Sequence, residues 1–331
     1  MNTKRIISLV ASLALVLSLS VGLTGCGDKA AQDDNQGSTD SEGTKYTVGI
    51  CQLVQHEALD AATQGFIDAL NEALPGQVEF QNKNASGDSA NCSTIVNGFV
   101  SDGVDLILAN ATGALTAAAA ATSDIPILGT SITAYGVALD IDDFNGTVGG
   151  NISGTSDLAD LEAQANMITE WFPDATKVGL LFCSAEPNSR YQIDEVRKAL
   201  EAQGVTCEEF AFTDSNDVSS VTQKAADFSD VVYIPTDNTA ASCAEAIKGA
   251  ATKPIVAGEE GICKGCGVAT LSIDYYELGR TTGEMAVKIL KGEADISTMA
   301  IEYYPNPVKK YNPEMAEHYN LTIPSDYAAI G

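Results

Sequence analysis

Histidine is almost missing from this sequence: His56 and His318 are the only two in 331 residues. That leaves little room for a histidine-rich catalytic metal site. Cations are scarce too, with 18 Lys and Arg against 45 Asp and Glu and a formal net charge of −27. This balance argues against nucleic acid as a partner, because counterion release needs clustered cations. It argues equally against a polybasic grip on anionic lipid. GxGxxG and a Walker-type GK[ST] are absent, so nucleotide hydrolysis has no support. GxSxG is absent as well, which leaves no hydrolase elbow. The single Trp171, in Ile168-Thr-Glu-Trp-Phe172, reads as helix packing rather than a ligand platform. No cofactor is expected.

What is present is a chain that can bury sizeable cores, 45% hydrophobic and 19% charged, and long enough for two domains. Lys4 and Arg5 precede an apolar run from Ile6 to Leu23, which stops at Leu23-Thr24-Gly25-Cys26. A basic start, a short apolar stretch and small residues before a cut describe a secretory signal over residues 1–25. The tetrapeptide resembles the lipobox of bacterial lipoproteins, whose Cys, here Cys26, is lipidated (palmitate is the expected acyl chain) and becomes the new N-terminus. An uncleaved membrane anchor is the rival reading, although the run is at the short limit for spanning. Residues 27–45, GDKAAQDDNQGSTDSEGTK, contain no large apolar side chain and read as a tether reaching about 25 Å. No later stretch is apolar enough to span a bilayer. The expected location is outside the cell, lipid-anchored to the outer face of the bacterial cytoplasmic membrane.

From Tyr46 onward, short β-type runs alternate with helical patterns, which indicates βαβ units and parallel sheets. The order is written twice. Tyr46–Cys51 returns as Lys177–Leu181, with Gly49 and Gly179 offset by 130, and Asp105–Thr112 returns as Asp230–Asp237, offset by 125. Both latter segments lead into Ala-rich helices that end at Pro126-Ile127 and Pro254-Ile255. The predicted fold is α/β, with two similar doubly wound parallel-sheet lobes joined by a hinge of several crossings. Lobe one is expected over residues 46–150 plus about 274–293, and lobe two over 151–273 plus about 296–325. The Gly-rich stretch Thr147–Thr155 is read as a crossing between lobes. Hinged lobes close on a ligand held between them.

In such sheets, ligands bind beyond the carboxyl ends of the strands. Those loops are Gln52–Leu59 and Asn110–Ala114 in lobe one, and Ser184–Ser189 and Thr236–Thr239 in lobe two. Thr112, with the amides of Gly113 and Ala114 at a helix start, suits a carboxylate. Asp237, at the matched position, suits an ammonium, so the pair fits a free amino acid. Each residue has a plainer reading. Thr112 and Asp237 are good N-caps, Glu186-Pro-Asn188-Ser189 is a plausible capped turn, and for His56 the plainer reading is capping or packing. The candidate ligand shell is Gln52, Leu53, His56, Thr112, Gly113, Ala114, Tyr135, Glu186, Asn188, Ser189, Asp237 and Asn238. A nucleoside or sugar receptor on the same fold is the alternative; it would need stacking aromatics such as Tyr135 or Tyr233.

Five segments occur in order: His56-Glu-Ala-Leu59-Asp60, Asn151-Ile-Ser-Gly154, Glu186-Pro-Asn188-Ser189, Pro235-Thr-Asp237-Asn238 and Asp274-Tyr275-Tyr276-Glu-Leu-Gly279. Over about residues 46–325 the chain resembles ABC-transporter substrate-binding lipoproteins of the tryptophan- and aromatic-amino-acid-binding type. The resemblance implies a periplasmic-binding-protein fold of type I, no catalysis, and delivery of a captured solute to a membrane permease. It places Gln52, His56, Thr112, Asn188, Ser189 and Asp237 at or near the ligand. Two positions depart from the family's pattern. Thr133-Ala134-Tyr135 stands where Thr-Asp is usual, and Gly113 stands where Pro is common.

There are eight cysteines. Cys263-Lys-Gly-Cys266 is a C-x-x-C, open to redox exchange, half a zinc site or a local disulfide. With no second C-x-x-C and no His at ligand spacing, zinc is disfavoured. A thiol-redox lipoprotein using Cys263 and Cys266 is the second alternative function.

Overall fold

The computed structural model describes residues 45–331; the expected signal, Cys26 and nearly all of the tether lie outside them. The first half runs β1 (Tyr46–Gln52), α1 (Glu57–Ala73), β2 (Val78–Asn84), α2 (Ser89–Asp102), β3 (Leu106–Asn110), α3 (Thr112–Ala121), β4 (Ile127–Ile132), α4 (Tyr135–Ala138) and β5 (Ile152–Ser156). The second half opens with α5 (Leu161–Trp171), β6 (Lys177–Cys183), α6 (Pro187–Ala202), β7 (Thr206–Phe212), α7 (Val218–Phe228) and β8 (Val231–Ile234). It continues with α8 (Asn238–Ser242), α9 (Ala244–Ala250), β9 (Ile255–Ala257), α10 (Glu260–Cys266) and β10 (Ala269–Ser272). The chain ends with α11 (Tyr275–Leu290), β11 (Glu302–Tyr303), β12 (Val308–Tyr311), α12 (Pro313–His318) and β13 (Ala328–Ala329).

Two sheets form, one of order β11-β5-β4-β3-β1-β2 and one of order β13-β12-β10-β9-β8-β6-β7. All their pairings are parallel except β10 with β12. The inner order β4-β3-β1-β2 is repeated as β9-β8-β6-β7, so the internal duplication is structural. It extends to single hydrogen bonds. Asp105 Oδ2 accepts from the Thr47 amide at 2.7 Å, and Asp230 Oδ2 accepts from the Lys177 amide at 3.0 Å. In each lobe an Asp at the start of one central strand ties down the start of its neighbour. β3 and β8 are buried end to end, as parallel strands covered on both faces must be.

The chain crosses between lobes three times: after β5, after β10 into α11, and between β11 and β12. β5 belongs to the first sheet, so the chain leaves the first lobe after Ser156 rather than at the expected border between 150 and 151. Residues 296–303 also stay with the first lobe: Ile296 packs into its core and β11 pairs with β5. The glycines explain why β5 reads as a linker. Gly154, at φ +142°, lies so close to Gly129 and the Tyr135 hydroxyl that a Cβ would strike them. α11 lies against α1. Gly279 makes that approach possible, since a Cβ there would land on the Ala62 carbonyl.

Candidate functional site in the interlobe cleft

Because equivalent strands of the two lobes end towards one another, their carboxyl-end loops enclose a cleft of about 550 Å³. This is within the range of small-molecule sites. Of the candidate shell, Leu53, Thr112, Gly113, Glu186, Asn188 and Asn238 line it. The loops after β2 (Ser86–Ser89) and after β7 (Thr213–Ser215) also line it and were missed. They follow matched strands in the two lobes, and that symmetry was a signal available in the sequence.

The two walls differ at their helix starts. α3 is preceded by Ala111, which has φ +85° and no side-chain cap. Ala114 and Leu115 donate to the Ala111 carbonyl, whereas no partner for the Thr112 and Gly113 amides occurs among the described residues. Together with the helix dipole, free amides of this kind suit an anion.

At α8 the equivalent groups are already used. Asp237 is the N-cap; its Oδ1 accepts from the Ala240 amide at 2.8 Å and its Oδ2 from the Cys183 amide at 2.7 Å. Glu186 covers the rest. Its Oε2 accepts from the Asn238 amide at 3.0 Å and its Oε1 from the Thr239 amide at 2.8 Å. Asp237 is buried and does not line the cleft. Burial, then the neighbouring Glu186 carboxylate, raises its pKa. The structural equivalent of Asp237 is therefore Ala111, one residue before Thr112.

Several other expected shell residues are occupied elsewhere. Gln52 is buried, donating to Asp60 at 2.7 Å and to the Val54 carbonyl, while its Oε1 accepts from Thr63. Ala114 and Ser189 are fully buried and outside the lining. The Tyr135 hydroxyl donates to the Thr155 carbonyl at 3.1 Å, and its ring stacks on Phe144. Tyr233 is also core, donating to Gln164. Both aromatics needed for a stacked nucleoside or sugar are thus committed to packing. Trp171 packs edge-on against Tyr327 in the second lobe.

His56 links the lobes. It precedes α1 without capping it, and its Nε2 lies 3.3 Å from Asn238 Oδ1. Asn238 Nδ2 donates to Glu186 at 2.8 Å, which turns Oδ1 towards the imidazole and makes Nε2 the donor. Burial lowers the His56 pKa, so the ring is neutral and its buried Nδ1 is a bare acceptor. Asn188 Oδ1 is a second such acceptor; its Nδ2 donates to Glu186 and to the Thr236 carbonyl.

Cys263 and Cys266 sit on α10 with both thiols buried in the second lobe's core. Burial pushes both above the ordinary thiol range, the reverse of an exchange-active thiol. The seven described cysteines are free thiols. No group of three or more His, Cys, Asp or Glu placed to hold a metal occurs among the described residues. No described helix is long and apolar enough to cross a membrane.

The family model described as ABC transporter substrate binding protein matches residues 47–326. A tyrosine-binding protein of Clostridioides difficile is 34% identical over 308 residues, 88% of this chain and 86% of that protein. Among solved structures, an ABC domain from Streptococcus pneumonia in complex with L-Trp superposes with a TM-score of 0.83. Identity is 29%, and 87% of this chain and all of that one are covered. The ligand-free, open structure of a substrate-binding protein with adhesive properties from Clostridium difficile gives a TM-score of 0.66. It is 32% identical and covers 86% of this chain and 99% of that one.

Proposed function

Given that the chain belongs to the family of ABC transporter substrate-binding proteins, we propose that it captures an aromatic amino acid between its lobes and hands it to a membrane permease. It does this without catalysis. The observation that carries the reading is the unequal pair of helix starts. α3 presents free amides at Thr112 and Gly113 for a carboxylate, while the matching start of α8 is closed by Asp237 and Glu186. Leu53, Val54, Ala117 and Ala120 give the first lobe's wall an apolar surface for a ring. The relatives bind tyrosine and tryptophan by their descriptions. Solute entering the open form need only prefer the closed form to shift the equilibrium between them.

The signal over residues 1–25 and the lipid on Cys26 complete the proposal, with the folded body held at the membrane's outer face. The mass of a diacylated Cys26 at the mature N-terminus is their sign. Ligand class is tested by thermal unfolding of protein freed of co-purified solute, against the twenty amino acids, nucleosides and sugars. A ligand at 1,000 times its dissociation constant stabilises by about 4 kcal/mol. Shifts confined to Trp, Tyr or Phe are expected; a shift with a nucleoside or sugar alone would discard the amino-acid pocket.

A further inference from the structure

Four buried acids stand at the carboxyl ends of strands facing the opposite lobe, and three of them are spoken for. Asp237 and Glu186 accept the amides around α8. Glu259, the N-cap of α10, accepts from the Gly261 and Ile262 amides. The fourth, Asp157, follows β5, is 2% exposed and, like Asp237, does not itself line the cleft. Its Oδ2 accepts from the Tyr275 hydroxyl at 3.0 Å and the Thr133 hydroxyl lies near, yet Oδ1 is buried without a hydrogen-bond partner. None of the described ion pairs brings it a Lys or Arg. A buried carboxylate with an empty oxygen and no cation is costly, and the cost falls when a cation with N–H donors arrives.

We propose that Asp157 Oδ1 receives the ligand's ammonium group, with Asn188 Oδ1 of the opposite lobe as a second acceptor. This rests on the amino-acid reading of the cleft, and it moves the ammonium site from Asp237 to the hinge. The spacing is suitable. β3, β4 and β5 are neighbours in one sheet, so Asp157 stands two strand spacings, about 10 Å, from the free amides of α3. Two hydrogen bonds of about 2.9 Å, the Asp side chain and an amino acid's own head group fill that gap. The turn between them, Thr133-Ala134-Tyr135, carries no acid. Tyr275 is a positioning residue that holds Oδ2 and leaves Oδ1 free. Asp157 opens the crossing after β5 and Tyr275 opens the crossing into α11, so an ammonium here would bind at two hinge strands at once.

Calorimetry with L-tryptophan and L-tyrosine, each paired with its deaminated analogue (3-indolepropionate, 3-(4-hydroxyphenyl)propionate), tests this on wild type, Asp157→Asn and Tyr275→Phe. Wild type should prefer the amino acids by about 100-fold or more. Asp157→Asn should lose about 100-fold on the amino acids and little on the analogues, without a lower unfolding temperature in the ligand-free state. Tyr275→Phe should lose about 10-fold. An Asp157→Asn protein that keeps the wild-type preference for the amine, or one that loses amino acids and analogues equally, overturns the assignment. If wild type binds a different amino acid, the same comparison with that amino acid and its deaminated form decides Asp157 while the aromatic reading fails. If it binds only ligands without an amine, both fail.

Discussion

The two lobes present equivalent helix starts to the same cleft, and only one leaves its amides open. At α8, an N-cap aspartate and a glutamate 51 residues earlier in the chain satisfy the amides of Asn238, Thr239 and Ala240. At α3, Ala111 supplies no side-chain oxygen, and the Thr112 and Gly113 amides remain open. Capping and anion binding draw on the same orphan N–H groups, so in a duplicated fold the lobe that keeps its cap is stabilised and the lobe that lacks one keeps its amides open for an anion. The first lobe's wall around those amides combines apolar Leu53, Val54, Ala117 and Ala120 with the hydroxyl-bearing Ser89, Ser93 and Thr116. The second is a hydrogen-bonded lattice centred on Glu186 that extends through Asn238 to His56 on the first lobe.

The most direct way to break this difference is to give α3 an acid of its own. Thr112→Asp puts a carboxylate against the free amides and should lower ligand affinity at least about 100-fold in calorimetry, with the fold retained. Removing the cap on the other side should act on stability first. Asp237→Ala frees the Ala240 and Cys183 amides inside the protein and should cost about 1–3 kcal/mol, read as a lower unfolding temperature of the ligand-free protein.

The smallest effect concerns pH and belongs to the buried acids at the strand ends. Burial pushes the Glu259 carboxyl up to about 7, and burial likewise raises Asp157 and Asp237. A carboxyl whose folded pKa is raised contributes stability that is full below its ordinary range and is lost as pH rises through the folded value. The ligand-free protein should therefore melt a few degrees higher at pH 5.5 than at pH 8. Glu259→Gln should flatten that difference; an unchanged slope in the variant would put the proton elsewhere.

Much of the fold was legible because duplication leaves marks that survive divergence. Asp105 and Asp230 hold their neighbouring strands in the same way, and the 125-residue offset between them can be read without a structure. The loops after β1, β3, β6 and β8 followed from the rule that ligands sit at strand carboxyl ends. The lobe border was misplaced because Gly154 looks like a linker glycine, whereas it is a strand glycine required by close contact with Gly129. The site was harder to read, for a physical reason. An aspartate at a helix start serves equally as a cap or as a ligand partner, and the choice for Asp237 depends on the Cys183 amide, far away in sequence. Tyr135 failed as a platform because its hydroxyl finds the Thr155 carbonyl within its own lobe. Asp157 was overlooked beside a Gly-rich stretch. Only a buried oxygen without a hydrogen-bond partner distinguishes it from the other buried acids.

A crystal structure of the complex with L-tryptophan or L-tyrosine tests the central claim most directly. The account predicts the ligand carboxylate on the Thr112 and Gly113 amides, with the Asp237 and Glu186 bonds to α8 intact. A carboxylate lodged at the start of α8, or one that leaves the α3 amides to water, would contradict it.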